Sequence, residues 1–242
     1  MRIKSNFNVL IGISGILFTF LNFTFGTLGY QYRPRNYTVF FGLYVASVLC
    51  VTVFSVIFKR YARKKAVVFG CLMPFIALLY EISLLFFFDF MIDYLSYELV
   101  YFLLLLGIAL FFSSIIFFVY NPYLWLRILG IVATIILIVI FGFMFFISLF
   151  FSDFGSNSVI DIIDSPGHTY QAWVISSDQG AFGGDTMVNV QNTKNKINFV
   201  TGTIIGQRKR IWTGDWGNKP KLKWKDENTL LINGVAYNVE TN

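Results

Sequence analysis

The sequence predicts a membrane protein with five transmembrane helices followed by a C-terminal all-β, mainly antiparallel domain. Composition is the first reason: 56% of the residues are hydrophobic and only 13% are charged, a balance too apolar for an ordinary soluble domain. Distribution is the second reason, because only three of the 29 phenylalanines follow Phe151. We therefore expect a polytopic transmembrane helical domain at 1–151 and a β domain at 152–242.

A basic loop predicts the orientation of the chain. Lys59-Arg60-Tyr61-Ala62-Arg63-Lys64-Lys65 carries five basic side chains in seven residues between two apolar runs. Short cytoplasmic loops are enriched in Lys and Arg, so this loop is expected inside. Counting crossings from it places the amino terminus in the cytoplasm and everything after Phe151 outside. The ten basic residues up to Phe151 face only four acids, whereas nine of each sign follow it, so the net charge of +6 belongs to the helices and nucleic-acid binding is not expected.

Five apolar runs are long enough to span a bilayer, which takes about 20 residues. They cover approximately residues 7–30, 39–58, 66–88, 99–120 and 128–151. The first run lacks an A-x-A-like cleavage site, so it is interpreted as a retained helix rather than a signal peptide. The segment Gln31–Asn36, which contains Pro34, is interpreted as a connection between the first two helices. Its two arginines oppose the charge rule but are outweighed by the basic loop.

The polar remainder is predicted to form short strands, because apolar and polar residues alternate along it. The strands are expected near residues 159–163, 169–175, 186–190, 197–200, 203–207, 210–213, 222–224, 229–232 and 235–239. Asn233-Gly234 between the last two is a strong hairpin signal, since both turn residues must accept positive φ. Both cysteines, Cys50 and Cys71, lie in apolar runs, so the β domain has no disulfide framework.

Three segments resemble a known family. They are Ser165-Pro166-Gly167-His168-Thr169-Tyr170, the stretch from Ser177 to Gly184, and the stretch from Trp224 to Gly234. Together they resemble a family of small membrane-anchored domains of unknown function, found mainly in Gram-positive bacteria. The resemblance covers the fifth helix and the β domain, and it implies one anchoring helix followed by an external β domain. It implies no activity, and the first four helices are not part of the pattern.

Glu81 is the only acid deep inside a predicted helix. An ionisable group at the bilayer centre costs about 2.5–3.5 kcal/mol on insertion scales, so it usually faces a partner or a cavity. Asn22 and Thr24 lie at a similar depth and are candidate hydrogen-bond partners. One interpretation is a proton or cation site in a small transporter or channel. The other is a protonated structural glutamate that joins two helices. Loss of transport in Glu81→Gln at a normal protein level would favour the first.

Basic side chains recur in the β domain. Lys219, Lys221, Lys223 and Lys225 alternate, so in a strand they share one face while Leu222 and Trp224 share the other. Arg208, Lys209 and Arg210 are the other candidates for this surface. The lysines are interpreted either as protection of an exposed sheet edge or as a surface for anionic lipid or wall polymer.

Catalytic groups are scarce in the β domain. His168 is the only histidine and sits beside a Pro-Gly turn, so a multi-histidine metal site is excluded. The Gly-rich segment from Asp178 to Asp185 is interpreted as a hairpin connection, because two spaced Asp supply too few calcium ligands. The four tryptophans of this part are interpreted as core residues, with sugar or lipid stacking as the alternative.

The sequence therefore predicts a non-enzymatic envelope protein without a cofactor or metal. Its expected partners are the lipid bilayer and an anionic envelope polymer, lipid headgroups or another membrane protein. The alternative is the small transporter or channel that uses Glu81.

Overall fold

The computed structural model describes residues 2–87, 95–151, 156–178, 180 and 183–240. The chain forms two compact units. The helical unit comprises Met1–Leu28, Asn36–Phe87 and Val100–Ile147. The β-rich unit comprises Gly29–Arg35 together with the described residues of Phe88–Leu99 and Ser148–Asn242. The boundaries predicted from the sequence assigned Gly29–Arg35 to the helical domain at 1–151, whereas the structure groups this segment with the β-rich unit.

Five of the helices are long and apolar enough to cross a membrane, and they match the five predicted runs. The helices are α1 (Arg2–Ser5), α2 (Phe7–Thr27), α3 (Tyr37–Phe58), α4 (Lys64–Phe87), α5 (Leu95–Tyr120) and α6 (Leu124–Phe151), with a short 3-10 helix at Lys59–Tyr61. The spanning candidates are α2 to α6. The basic loop thus consists of the 3-10 helix, two linking residues and the start of α4.

Small residues let α2 and α4 pack closely. A side chain at Gly12 would meet the ring of Phe69, and one at Gly26 would meet the backbone of Phe86. Both pairs advance in the same direction along the two helices, so α2 and α4 run parallel. Close approach at small residues is the usual way in which helices associate in lipid, where the hydrophobic effect does not drive them together.

The β-rich unit contains three antiparallel sheets among the described residues. Its strands are β1 (Tyr30–Pro34), β2 (Ser156–Asp164), β3 (Tyr170–Asp178), β4 (Gly184–Asn192), β5 (Ile197–Asn198), β6 (Gly202–Gly206), β7 (Arg208–Asp215), β8 (Leu222–Trp224), β9 (Thr229–Ile232) and β10 (Val235–Asn238). The sheet orders are β1-β6-β5, β2-β3-β4-β7 and β10-β9-β8. Strands β2 to β10 match the nine predicted positions.

Strand β1 was not predicted, because its sequence was interpreted as a loop. It pairs antiparallel with β6, with Tyr30 opposite Gly206 and Pro34 opposite Gly202. Pro34 suits an edge strand, where a missing N–H removes no ladder hydrogen bond. The β-rich unit is therefore discontinuous in sequence, since one of its strands lies between α2 and α3.

The core of the β-rich unit lies between the four-stranded sheet and the β8–β10 sheet. Its buried residues are Ala172, Val174, Val188, Val190, Leu230, Ile232 and Val239. Trp212 and Trp224 pack against this cluster, and Trp173 is buried within a second cluster with Ile175 and Met187. The core interpretation is confirmed for these three tryptophans, whereas Trp216 is 53% exposed.

The hairpin predicted at Asn233-Gly234 is present. The two residues have φ of 53° and 85°, and they join β9 to β10. Part of the Gly-rich segment, at residues 179 and 181–182, lies outside the described residues, and so do residues 88–94 between α4 and α5.

Candidate functional site

The four alternating lysines lie along an exposed edge. Lys219, Lys221, Lys223 and Lys225 are all exposed, whereas Leu222 and Trp224 between them pack against the core. Strand β8 has one neighbour, β9, among the described strands of its sheet. The backbone N–H of Lys221 donates to the side-chain oxygen of Asn233 at 2.9 Å, and the backbone N–H of Lys225 donates to the backbone carbonyl of Thr229 at 3.0 Å. This lysine edge is therefore attached to the β9–β10 hairpin by its own backbone.

Arg208 does not share the exposure of its neighbours. Lys209 and Arg210 are exposed, but Arg208 is half-buried, with its guanidinium carbon 4.5 Å from the centre of the Trp173 ring. Arg33 of β1 approaches the same ring at 6.0 Å. Cation–π contacts of this kind contribute about 0.5–2 kcal/mol. Arg208 thus packs with Trp173 in the β-rich unit, which differs from the exposed surface role predicted for it.

Glu227 joins two of the segments on which the family resemblance rests. Its carboxylate accepts hydrogen bonds from the Ser165 hydroxyl at 2.6 Å, from the Gly167 N–H at 2.5 Å and from the Thr169 N–H at 2.9 Å. Between these donors, His168 has a φ of 55°, and its side chain is 79% exposed. The carboxylate therefore fixes a strained turn, to which His168 belongs.

These donors lower the pKa of Glu227 to about 2 from 4.5, chiefly through the Ser165 hydroxyl. A carboxylate whose pKa is depressed by folding stabilises the fold above its unfolded pKa. That contribution is lost as the pH falls through the folded value. The stabilisation is thus complete above about pH 4.5 and disappears toward about pH 2.

We expect Glu227→Gln to lower the stability of the β-rich unit at neutral pH and to flatten its pH dependence between about 4.5 and 2. Unfolding of the full chain by urea, followed through tryptophan fluorescence at several pH values, measures both effects. Glu240→Gln is the control, because Glu240 is an exposed carboxylate of the same unit. Equal pH profiles for the two variants would contradict the role given to Glu227.

The candidate partners of Glu81 in the helical unit bond elsewhere. Asn22 donates to the Ser83 hydroxyl at 2.9 Å, and Thr24 donates to the Phe20 carbonyl of its own helix at 2.8 Å. Glu81 is completely buried, and neither carboxyl oxygen has a hydrogen-bond partner among the described residues. The α2–α4 hydrogen bond predicted at this depth therefore exists, but Ser83 takes the place expected for Glu81.

A second buried polar cluster was missed in the sequence. The Ser55 hydroxyl donates to Asn8 at 2.9 Å, and the Tyr120 hydroxyl donates to the Ser55 carbonyl at 2.7 Å. All three residues are buried, and they join α2, α3 and α5. Asn8 lies in the first turn of α2, and Ser55 and Tyr120 lie in the last turns of α3 and α5. These three helix ends are all predicted on the cytoplasmic side, so their equal depth was the signal available in the sequence.

A cavity of about 340 Å³ opens among α2, α3, α4 and α5. Most of its lining is apolar, with hydroxyl groups from Ser14, Ser47 and Ser113 among the exceptions. Glu81 is not one of its described lining residues. Within the described chain, no group of three or more His, Cys, Asp or Glu could hold a metal ion.

Residues 124–242 match a family of unknown function, DUF5412. The match begins at the first residue of α6 and includes strands β2 to β10, which is the part of the chain that resembles such a family by its motifs. Helices α2 to α5 and strand β1 lie outside it. No curated protein and no solved structure matches the chain.

Proposed function

We propose that this chain is a multi-pass protein of a bacterial cell membrane, with a cytoplasmic amino terminus and an extracytoplasmic β-rich unit. The unit binds an envelope partner and catalyses no reaction. The length and apolarity of α2 to α6 support membrane insertion. Residues 124–242 match a family of unknown function, so this match suggests no particular activity for the chain.

The pairing of β1 with β6 supports the proposed topology. Two strands of one sheet lie on the same side of a bilayer, and four candidate spans, α3 to α6, separate β1 from β6 in the chain. Four crossings return the chain to the side from which it started, whereas three or five would not. The basic loop lies one helix away from β1, so it falls on the opposite side, where the positive-inside rule expects it.

The same pairing accounts for the two arginines that oppose the charge rule. Arg33 belongs to β1 and packs over Trp173, and the N–H of Arg35 donates to the Thr201 carbonyl at 3.0 Å. Both residues are part of the β-rich unit, so in the proposed topology folding of that unit, rather than loop charge, would keep them on the outer side.

A disulfide between β1 and β6 tests this topology. The hydrogen bonds at Gly29–Gln207 and Arg35–Thr201 make Tyr32 and Ile204 a non-hydrogen-bonded pair, whose Cα atoms are typically about 4.5 Å apart. That separation suits a disulfide. With Cys50 and Cys71 replaced by alanine, Tyr32→Cys with Ile204→Cys is expected to cross-link almost completely in membranes.

The matched control is Tyr32→Cys with Thr203→Cys, because adjacent strand residues point to opposite faces. A third variant, Arg63→Cys, reports the other side of the membrane through an impermeant thiol reagent applied to intact cells. Efficient cross-linking of the control pair, or labelling of Arg63→Cys from outside, would refute the topology.

The lysine edge supports a binding role for the β-rich unit. Its four side chains are exposed, they are concentrated on one edge, and the backbone around them is fixed by hydrogen bonds. A basic residue near an anionic surface contributes about 1 kcal/mol. The part of the chain after Phe151 carries equal numbers of acids and bases, so concentration of charge rather than net charge would provide the attraction.

Changing the four lysines to glutamine is expected to weaken binding to equimolar phosphatidylglycerol–phosphatidylcholine vesicles at least tenfold at low salt, at about 1 kcal/mol per charge. Salt should release the wild type, since screening lengths fall to about 8 Å at physiological ionic strength. The full chain in zwitterionic nanodiscs is used, because a fragment from residue 152 would lack β1. Arginine at the same four positions should retain binding, and unchanged binding by the glutamine variant would refute the role.

Transport through the helical unit is the second candidate function. The observation that favours it is the fully buried carboxyl of Glu81, which has no hydrogen-bond partner among the described residues. Intramembrane acids without a structural partner often mark ion or proton pathways. The Glu81→Gln comparison given above distinguishes this candidate from the first.

A further inference from the structure

The turn between β5 and β6 is apolar at a position where turns are usually polar. Ile197, Phe199 and Val200 are 54%, 50% and 90% exposed. The N–H of Phe199 donates to the Gly202 carbonyl at 2.7 Å, so Val200 and Thr201 occupy the centre of the turn. Such positions favour Gly, Pro, Asn, Asp and Ser. Residues 197–201, named the hairpin tip here, therefore expose a small apolar patch that its turn geometry does not require.

The hairpin tip is held beside the residue that leads into α3. The Thr201 carbonyl accepts from the Arg35 N–H at 3.0 Å, and its hydroxyl accepts from the Tyr32 hydroxyl at 2.9 Å. Asn36 follows Arg35 and caps α3, its side chain accepting from the Val39 N–H at 3.0 Å. Two residues of chain span at most ~7 Å, so Arg35 lies within that distance of Tyr37, where α3 begins.

This connection brings the hairpin tip within reach of the bilayer surface. The step rests on the proposed function, in which α3 enters the membrane at Tyr37. A soluble partner would have to bind beside Arg35, which lies only two residues before the start of α3 and hydrogen-bonds to Thr201 of the tip. The bilayer is therefore the partner that the covalent path favours.

Positive charge precedes the apolar patch. Lys194 and Lys196 are exposed and lie three residues and one residue before Ile197. Interfacial amphipathic helices combine apolar side chains that enter about 5–10 Å into the headgroup and acyl boundary with basic residues that contact anionic lipids. The same two kinds of side chain are present at the hairpin tip and just before it. The order of basic and then apolar residues toward the turn matches that arrangement.

We propose that the hairpin tip inserts into the outer surface of the bilayer. Phe199 and Val200 enter the boundary between headgroups and acyl chains, and Lys194 and Lys196 contact headgroup phosphates. The small β1-β6-β5 sheet is thereby attached to the membrane at two places, through the covalent ends of β1 and through the turn of β5 and β6.

An environment-sensitive probe tests the insertion. The full chain, with Cys50 and Cys71 replaced by alanine, carries Val200→Cys labelled with a nitrobenzoxadiazole dye in phosphatidylglycerol–phosphatidylcholine liposomes. The expected result is blue-shifted emission, protection from aqueous iodide and quenching by spin-labelled lipid. Val200 is 90% exposed, so its replacement should not disturb the fold. The matched control is Val235→Cys, a 58% exposed valine in the β9–β10 hairpin, whose label should emit as in water.

The outcomes separate this inference from the topology on which it rests. If an impermeant thiol reagent reaches Val235→Cys in intact cells while the Val200 label behaves like the Val235 label, the inference is overturned and the topology stands. If the reagent does not reach Val235→Cys, the topology itself fails, and the inference fails with it. Glutamine at Lys194 and Lys196 should reduce lipid quenching of the Val200 label in anionic liposomes only. An equal reduction in zwitterionic liposomes would refute the proposed contact of these lysines with anionic headgroups.

Discussion

Leu230→Ala is expected to destabilise the β-rich unit by about 2–5 kcal/mol. Leu230 is fully buried in β9, the central strand of its sheet, and belongs to the cluster between that sheet and the four-stranded sheet. Its truncation removes buried methyl groups and leaves a cavity that neighbouring strands fill only in part. A unit without cysteines has no covalent link to limit the loss.

Urea unfolding of the full chain measures this loss through tryptophan fluorescence. Trp173, Trp212, Trp216 and Trp224 report on the β-rich unit, and only Trp125 lies in α6. Val235→Ala is the matched control, because Val235 is exposed in β10 and its truncation should change stability by at most about 0.5 kcal/mol. Equal losses for the two variants would contradict the assignment of the core.

Gly26→Ala is expected to destabilise the helical unit by about 1–3 kcal/mol, the usual range for overpacking. A Cβ atom at Gly26 would meet the carbonyl oxygen of Phe86 and lie 2.8 Å from its carbonyl carbon. These are backbone atoms of α4, so no side-chain rotation relieves the contact. The two helices would have to separate, which also strains the Asn22–Ser83 hydrogen bond.

Gly42→Ala isolates this effect from the intrinsic helix preference of alanine. Nothing lies within 4 Å of a Cβ atom at Gly42, so the change should be neutral or stabilise α3 by up to about 1 kcal/mol. Thermal unfolding in mild detergent, followed by the helical circular dichroism signal, compares the variants. A melting temperature for Gly26→Ala at or above that of Gly42→Ala would mean that α2 and α4 do not approach as described.

Local sequence patterns were sufficient for most elements of this fold. Each long helix is set by an apolar run of spanning length, which depends only on neighbouring residues. The hairpin at Asn233-Gly234 was equally accessible, because the positive φ that it requires is a property of two residues. The alternation of Lys and apolar residues around β8 likewise determines which side chains face the core.

The missed features depend on distant partners. Strand β1 is five residues long and ends in proline, so nothing local distinguishes it from a loop until Gly202–Gly206 pairs with it. Arg208 resembles Lys209 and Arg210 in sequence, and only the position of Trp173 on another strand separates it from them. Similarly, Glu81 and Ser83 are only two residues apart on α4, and helix packing decides that Asn22 bonds to Ser83 instead of Glu81.

The discontinuity of the β-rich unit has a consequence during synthesis. Tyr32 and Thr201, which share a hydrogen bond, are 169 positions apart, and a ribosome adding ~5–20 residues per second needs roughly ten to thirty seconds to make that stretch. During that time β1 has been translated without its partner strand, and α3, which follows it directly, is made long before β6. Completion of the β1-β6-β5 sheet is therefore a late event, and a nascent chain that stops after α6 exposes an unpaired strand edge of the kind that recruits chaperones or proteases.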